Sequence, residues 1–160
     1  MQKELRITFE EFHDIAELKE EWQVLLRTAR TISGKAWSPY SGFCVGAAVR
    51  LADGTVITGN NQENAAYPSG LCAERTALFY ANANFPELAV ETIAISAQNK
   101  KGLVSEPVKP CGSCRQVMLE TETRFNQPIT IVLDGKNSIY VLKGIDTLLP
   151  LNFKPESLKG

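Results

Sequence analysis

The arrangement of cysteines constrains this chain most. Of four cysteines in 160 residues, three stand in two short runs, Cys72-Ala73-Glu74 and Pro110-Cys111-Gly112-Ser113-Cys114. Each run opens a stretch with helical character. At a helix N-terminus the unpaired N–H groups and the macrodipole favour negative charge, so thiolates form readily there and can ligate a metal. The two residues between Cys111 and Cys114 let one turn of backbone present both sulphurs to a single ion, and Cys72 can supply a third. A fold that uses all three must bring two helix starts together. Three protein ligands leave a fourth tetrahedral position open, which is the arrangement of a catalytic zinc site rather than a structural one. The C-x-x-C run by itself reads equally as half a structural site or as a redox pair.

Composition limits what such a site can serve. With 17 Lys+Arg against 18 Asp+Glu the formal net charge is -1, without the basic excess of a protein that grips duplex nucleic acid or an anionic membrane surface. Hydrophobic residues at 44% and charged residues at 22% suffice for a core that needs no disulfides. No stretch approaches a membrane span, and Lys3, Glu4, Arg6, Glu10, Glu11 and Asp14 interrupt the start where a signal peptide needs an apolar core. A cytoplasmic protein is expected, in which thiols stay reduced and metal binding outranks disulfide formation. His13, the single histidine, is expected to be a solvated helix residue, and one histidine builds neither a triad nor a multi-histidine metal site.

Periodicity supplies the frame. Residues 1–17 belong to an acidic lead-in, with seven acids against three bases over the first 21 residues, expected to be solvated. Leu18, Trp22, Leu25, Leu26, Ala29 and Ile32 then fall at helical spacing, with Gly34 to end the helix. Phe43 to Leu51 and Thr55 to Thr58 read as strands about an Ala52-Asp53-Gly54 hairpin turn. A helix over Leu71 to Asn84, a strand over Val90 to Ala97, a helix from Gly112 to Phe125, and strands Ile129 to Leu133 and Ile139 to Leu142 about an Asp134-Gly135 turn complete the order. This predicts one domain over residues 1–160, an α/β fold with helices on both faces of a five-stranded mixed sheet, a three-layer α/β/α sandwich.

Cys-Ala-Glu followed by Pro-Cys-x-x-Cys matches the zinc deaminase signature in its all-cysteine form. The chemistry explains the residue types. Zinc lowers the pKa of bound water from 15.7 to about 7, and a nearby carboxylate collects that proton and redelivers it. Glu74, two residues from a ligand, reaches the water without occupying the metal. Zinc with three thiolates already carries negative charge, which makes the next deprotonation harder. Arg75 offers relief by donating to the ligand sulphurs. A plain surface salt bridge is the alternative for Arg75.

With these pieces in place the chain resembles the homotetrameric, zinc-dependent cytidine deaminases of pyrimidine salvage. The likeness rests on Ser38-Pro39-Tyr40-Ser41-Gly42-Phe43, Val45-Gly46-Ala47-Ala48, Asn61-Gln62-Glu63-Asn64-Ala65-Ala66-Tyr67, Cys72-Ala73-Glu74-Arg75-Thr76-Ala77 and Pro110-Cys111-Gly112-Ser113-Cys114-Arg115-Gln116, with Leu148-Leu149-Pro150 and Phe153 resembling the C-terminal end. The resemblance implies hydrolytic deamination of cytidine and deoxycytidine, with one Zn²⁺ per chain. It implies that Asn61 and Glu63 bind the ribose hydroxyls, that Phe43 packs on the pyrimidine ring and that Ala73 joins the substrate-binding set. Ala65, Tyr67 and Phe153 are implied to reach a neighbouring subunit's site in a homotetramer. An uncharged sugar suits a paired amide and carboxylate, whereas a phosphate would be repelled by Glu63. Cys44 is expected to be a buried free thiol.

Rival readings differ in particulars. Blasticidin S deaminases share the Cys-Ala-Glu site and the fold, and Asn61, Glu63 and Phe153 together favour cytidine over that substrate. Nucleic-acid base deaminases usually carry His where Cys72 stands, with basic surfaces for phosphate. A zinc-stabilised interaction module needs a fourth protein ligand, and neither Cys44 nor His13 has the expected spacing.

Overall fold

Adjacent residues of the central strands serve opposite faces, and this alternation builds the molecule. The structure, a computed structural model, describes residues 1–159. Its elements run β1 (Glu10–Phe12), α1 (Glu20–Ser33), β2 (Cys44–Leu51), β3 (Val56–Asn60), α2 (Ala73–Asn84), β4 (Val90–Asn99), β5 (Gly102–Leu103), α3 (Gly112–Phe125), β6 (Thr130–Leu133) and β7 (Ile139–Lys143). The sheet order is β1-β7-β6-β4-β2-β3, with β5 paired to β4. Among the described residues only the strands β4 and β6 pair in parallel; the other strand pairs are antiparallel.

Ala48, Ala94 and Val132 point to one face, where Leu25, Leu26 and Ala29 of α1 cover them. Their neighbours Ala47, Ile93, Ile95 and Ile131 point to the other, against Ala77, Leu78 and Ala81 of α2 and Met118 and Leu119 of α3. Because both faces are covered, the central strands read as nearly continuous apolar runs. Two glycines let the helices come close. A Cβ at Gly46 would lie 2.2 Å from the Ala29 carbonyl oxygen, and one at Gly59 would lie 2.5 Å from that of Ala73. Gly59 therefore fixes where α2 begins.

The three layers and the five expected strands are present, but the sheet has seven strands. The additions, β1 and β5, span three and two residues, too short for a period-two pattern to announce them. Residues 1–9 are exposed, as expected of the lead-in, whereas Glu10–Phe12 join the sheet edge beside β7. His13 is exposed, as expected, but sits in a bend rather than a helix. Asp134, expected in a turn, is completely buried. Arg30 forks onto its carboxylate at 2.7 and 2.8 Å, and the Ser96 hydroxyl donates to it at 2.7 Å, so the charge is paired and hydrogen-bonded as burial demands. Among the described residues no helix is long and apolar enough to cross a membrane.

Candidate active site

The chain leaves β3 at Asn60 and reaches α2 through a loop that closes on itself. Gln62 and Leu71 exchange backbone hydrogen bonds at 2.9 and 3.0 Å, which delivers Cys72 to the N-cap of α2. Cys111 caps α3 and Cys114 lies in its first turn; neither capping cysteine uses its side chain to bond the helix. The sulphurs face one another instead. Cys72 Sγ is 3.9 Å from Cys111 Sγ, Cys111 Sγ is 3.5 Å from Cys114 Sγ, and all three lie within 4.8 Å. Tetrahedral zinc with bonds of 2.3 Å needs sulphurs about 3.8 Å apart. The three thiols fit that ion with small adjustments, and a soft donor set of this kind selects zinc over a hard cation.

Electrostatics favours the same assignment. The Cys72 thiol is drawn down to about 5 by its hydrogen bond with Cys114, with Arg75 and Cys111 adding to the effect against burial. Cys114 moves the opposite way, pushed up by Cys72 and by its own burial. Arg75 donates from Nη2 to Cys72 Sγ at 3.6 Å, while its Nε is buried without an acceptor. Positive charge thus stands against the sulphurs rather than in a surface pair. Glu74 is only 5% exposed. Burial pushes its carboxyl above the usual range, and the Cys72 charge raises it further, so the group holds a proton more readily than a solvated glutamate.

A cleft of about 590 Å³ opens beside these groups, lined by Tyr40, Asn61, Glu63, Tyr67, Cys72 and Arg75 among others. Asn61 Oδ1 accepts from the Val45 N–H at 2.7 Å, and its Nδ2 donates to the Phe43 carbonyl at 2.9 Å. Glu63 accepts from the Tyr40 and Ser41 N–H groups at 2.9 and 3.2 Å and from the Ser41 hydroxyl. The Ser41 hydroxyl leads in holding that carboxyl below its ordinary range. Each side chain retains capacity, because an amide has a second N–H and lone pair and a carboxylate about four acceptor sites. Neutral hydroxyls can use what remains.

The model of the cytidine and deoxycytidylate deaminase zinc-binding region matches residues 19–126. A cytidine deaminase of Halalkalibacterium halodurans is 48% identical over 98 residues, covering 61% of this chain and 70% of the relative. One of Sporosarcina psychrophila is 41% identical over 134 residues, covering 84% and 92%. This chain belongs to the cytidine deaminase family. The crystal structure of the Burkholderia pseudomallei cytidine deaminase superposes with a TM-score of 0.69 at 37% identity, covering 81% of this chain and 97% of that one.

Against the cytidine deaminase pattern, the predicted residues fall into three groups. Cys72, Cys111 and Cys114 converge, with Glu74 and Arg75 one and two positions into α2 from the buried Ala73. Asn61 and Glu63 line the cleft, whereas Phe43, half-buried just before β2, is not among its lining residues. Ala65, Tyr67 and Phe153 are exposed, and the Phe153 carbonyl accepts from Gln116 Nε2 at 3.0 Å. Cys44 is half-buried rather than buried, because it opens β2 beside the Ser38 hydroxyl, 3.0 Å from its sulphur. One contributor escaped the sequence reading. Arg115 donates to the carbonyls of Pro110 at 2.8 Å and Leu148 at 2.5 Å, clamping the approach to Cys111. Its place directly after Cys114 was the available signal.

Proposed function

We propose that this protein hydrolyses cytidine and deoxycytidine to uridine and deoxyuridine, releasing ammonia. The observation that carries the reading is the convergence of three thiols beside a buried carboxyl, at the edge of a cleft lined by Asn61 and Glu63. Zinc bound there supplies Lewis acidity, which makes water acidic enough to lose a proton near neutral pH. The chain's own residues do the rest. Glu74 accepts the water proton, delivers a proton to ring N3 and serves the departing amine at C4, and its raised pKa suits both directions of transfer. Arg75 draws electron density from Cys72 and so limits how strongly the sulphurs quench the metal's acidity. Asn61 and Glu63 hold the sugar, Ala73 contributes to the base-binding wall, and Phe43 packs on the ring once substrate is seated.

Three thiol ligands suit a reducing compartment, and we assign the protein to the cytoplasm. We read residues 1–160 as one domain, which the single sheet shared by the strands of the described residues supports. Ala65, Tyr67 and Phe153 complete a neighbour's site in a homotetramer, a reading supported by the 77% exposure of Tyr67 and 57% of Phe153. Zinc-loaded protein incubated with each nucleoside should release ammonia in step with the loss of cytidine absorbance. Absence of turnover on both would refute the assignment.

A further inference from the structure

The N-terminal segment lies outside the span matched by the family model, residues 19–126, yet it leans on the loop that leads to a metal ligand. β1 pairs with β7 so that Glu11 stands opposite Tyr140. The Phe9 ring packs on Tyr140 with centroids 4.7 Å apart, and Lys109 Nζ reaches the same ring at 5.2 Å. Lys109 is two residues before Cys111. A second path runs alongside. His13 Nδ1–H donates to the Asn137 carbonyl at 3.2 Å, and Asn137 Nδ2 donates to Glu106 Oε1 at 3.1 Å. The Asn137 backbone N–H donates to the Ser105 carbonyl at 3.0 Å. The two paths thus reach residues 105–106 and 109 of a segment that has no regular structure of its own.

We propose that residues 9–13 are a brace for this loop, with Phe9 and His13 as positioning residues for Cys111. The inference rests on zinc being held by the three sulphurs. Such an ion escapes by losing one ligand at a time, and the three arms differ. Cys114 is buried in α3, and Cys72 follows the closed Gln62–Leu71 loop, whereas Cys111 is exposed and ends the irregular segment. Cys111, the exposed sulphur, is therefore the arm whose release a brace would slow, in addition to the hold that Arg115 has on Pro110. A brace that restrains its approach slows zinc loss without touching the metal.

The test is zinc release from the loaded full-length protein to an excess of a colorimetric chelator, at a temperature well below unfolding. Phe9→Ala should release zinc about fivefold faster, the worth of an aromatic pair. Adding His13→Ala should accelerate it further, and Phe9→Tyr should restore the wild-type rate. Lys109→Ala, which leaves β1 pairing intact, should match Phe9→Ala. Ile7→Ala, at a 50% exposed position, should change nothing. The amide of Asn137 should exchange hydrogen faster in the double variant while amides of α1 do not. Wild-type release from the zinc-bound double variant would overturn the brace alone, as would equal acceleration in Ile7→Ala or faster exchange throughout α1. A wild-type chain that binds no zinc would overturn the site reading and the brace with it.

Discussion

The proposed deamination asks Glu74 to act as both acid and base, and its buried setting suits that exchange. The residue follows a metal ligand by two positions and lies in the first turn of α2, where it is almost fully buried and that burial raises its pKa. Glu74→Gln keeps the shape and removes the proton acceptor. Turnover should fall by about 10²- to 10⁴-fold while zinc content and melting temperature stay near wild type; near-normal turnover would move the proton transfer to another group. The two cysteine runs, with Glu74 beside Cys72, were legible because each run is local in sequence, although the fold must close the 39 positions between Cys72 and Cys111. The anchoring of Asn61 was not, since its partners Val45 and Phe43 lie 16 and 18 positions away, and only the folded hairpin joins them. Asn61→Ala should lower kcat/KM for cytidine by about ten- to a hundredfold through an unpaired sugar hydroxyl. Free cytosine, which has no sugar, should lose much less, and equal losses would contradict a sugar-binding role.

At the scale of elements, the zinc site is a consequence of how α2 lies on β3. Helices and long strands declared themselves through periods of 3.6 and through apolar runs, but contact distance is invisible in such patterns. Gly59 reads in the sequence as a plain loop start, yet it ends up within 2.5 Å of the Ala73 carbonyl oxygen and 2.6 Å of the Ala77 N–H, measured from a Cβ that it lacks. The same reasoning explains Asp134, whose burial depends on Arg30 reaching across 104 positions. Gly59→Ala should push the start of α2 away from the sheet. The overpacking costs about 1–3 kcal/mol, and because Cys72 rides on that helix start, zinc affinity should fall together with the melting temperature. A variant with wild-type melting and full zinc content would show that the helix has room to spare.

Large apolar side chains stay uncovered at both ends of the chain, and those of the C-terminal stretch lie near the site. Leu151 is 91% exposed with a backbone φ of 54°, and Phe153 and Leu158 are 57% and 75% exposed. Leu148 and Phe153 are nevertheless tied by their carbonyls to Arg115 and Gln116, the two residues that follow Cys114. The tail is thus held on the helix that carries two of the metal ligands, with its side chains turned outward. In the proposed assembly a second copy would bury them. Docking Phe153 against a neighbour's cleft, beside the exposed Tyr67, would shield the base and exclude water from the proton transfer. On the proposed homotetramer, light scattering should report four chains. Phe153→Ala should raise KM for cytidine and shift the assembly toward smaller species on dilution, while melting of the isolated chain changes little because the ring is more than half exposed. A fully active monomer at low concentration would rule out shared sites and return Phe153 to its own subunit.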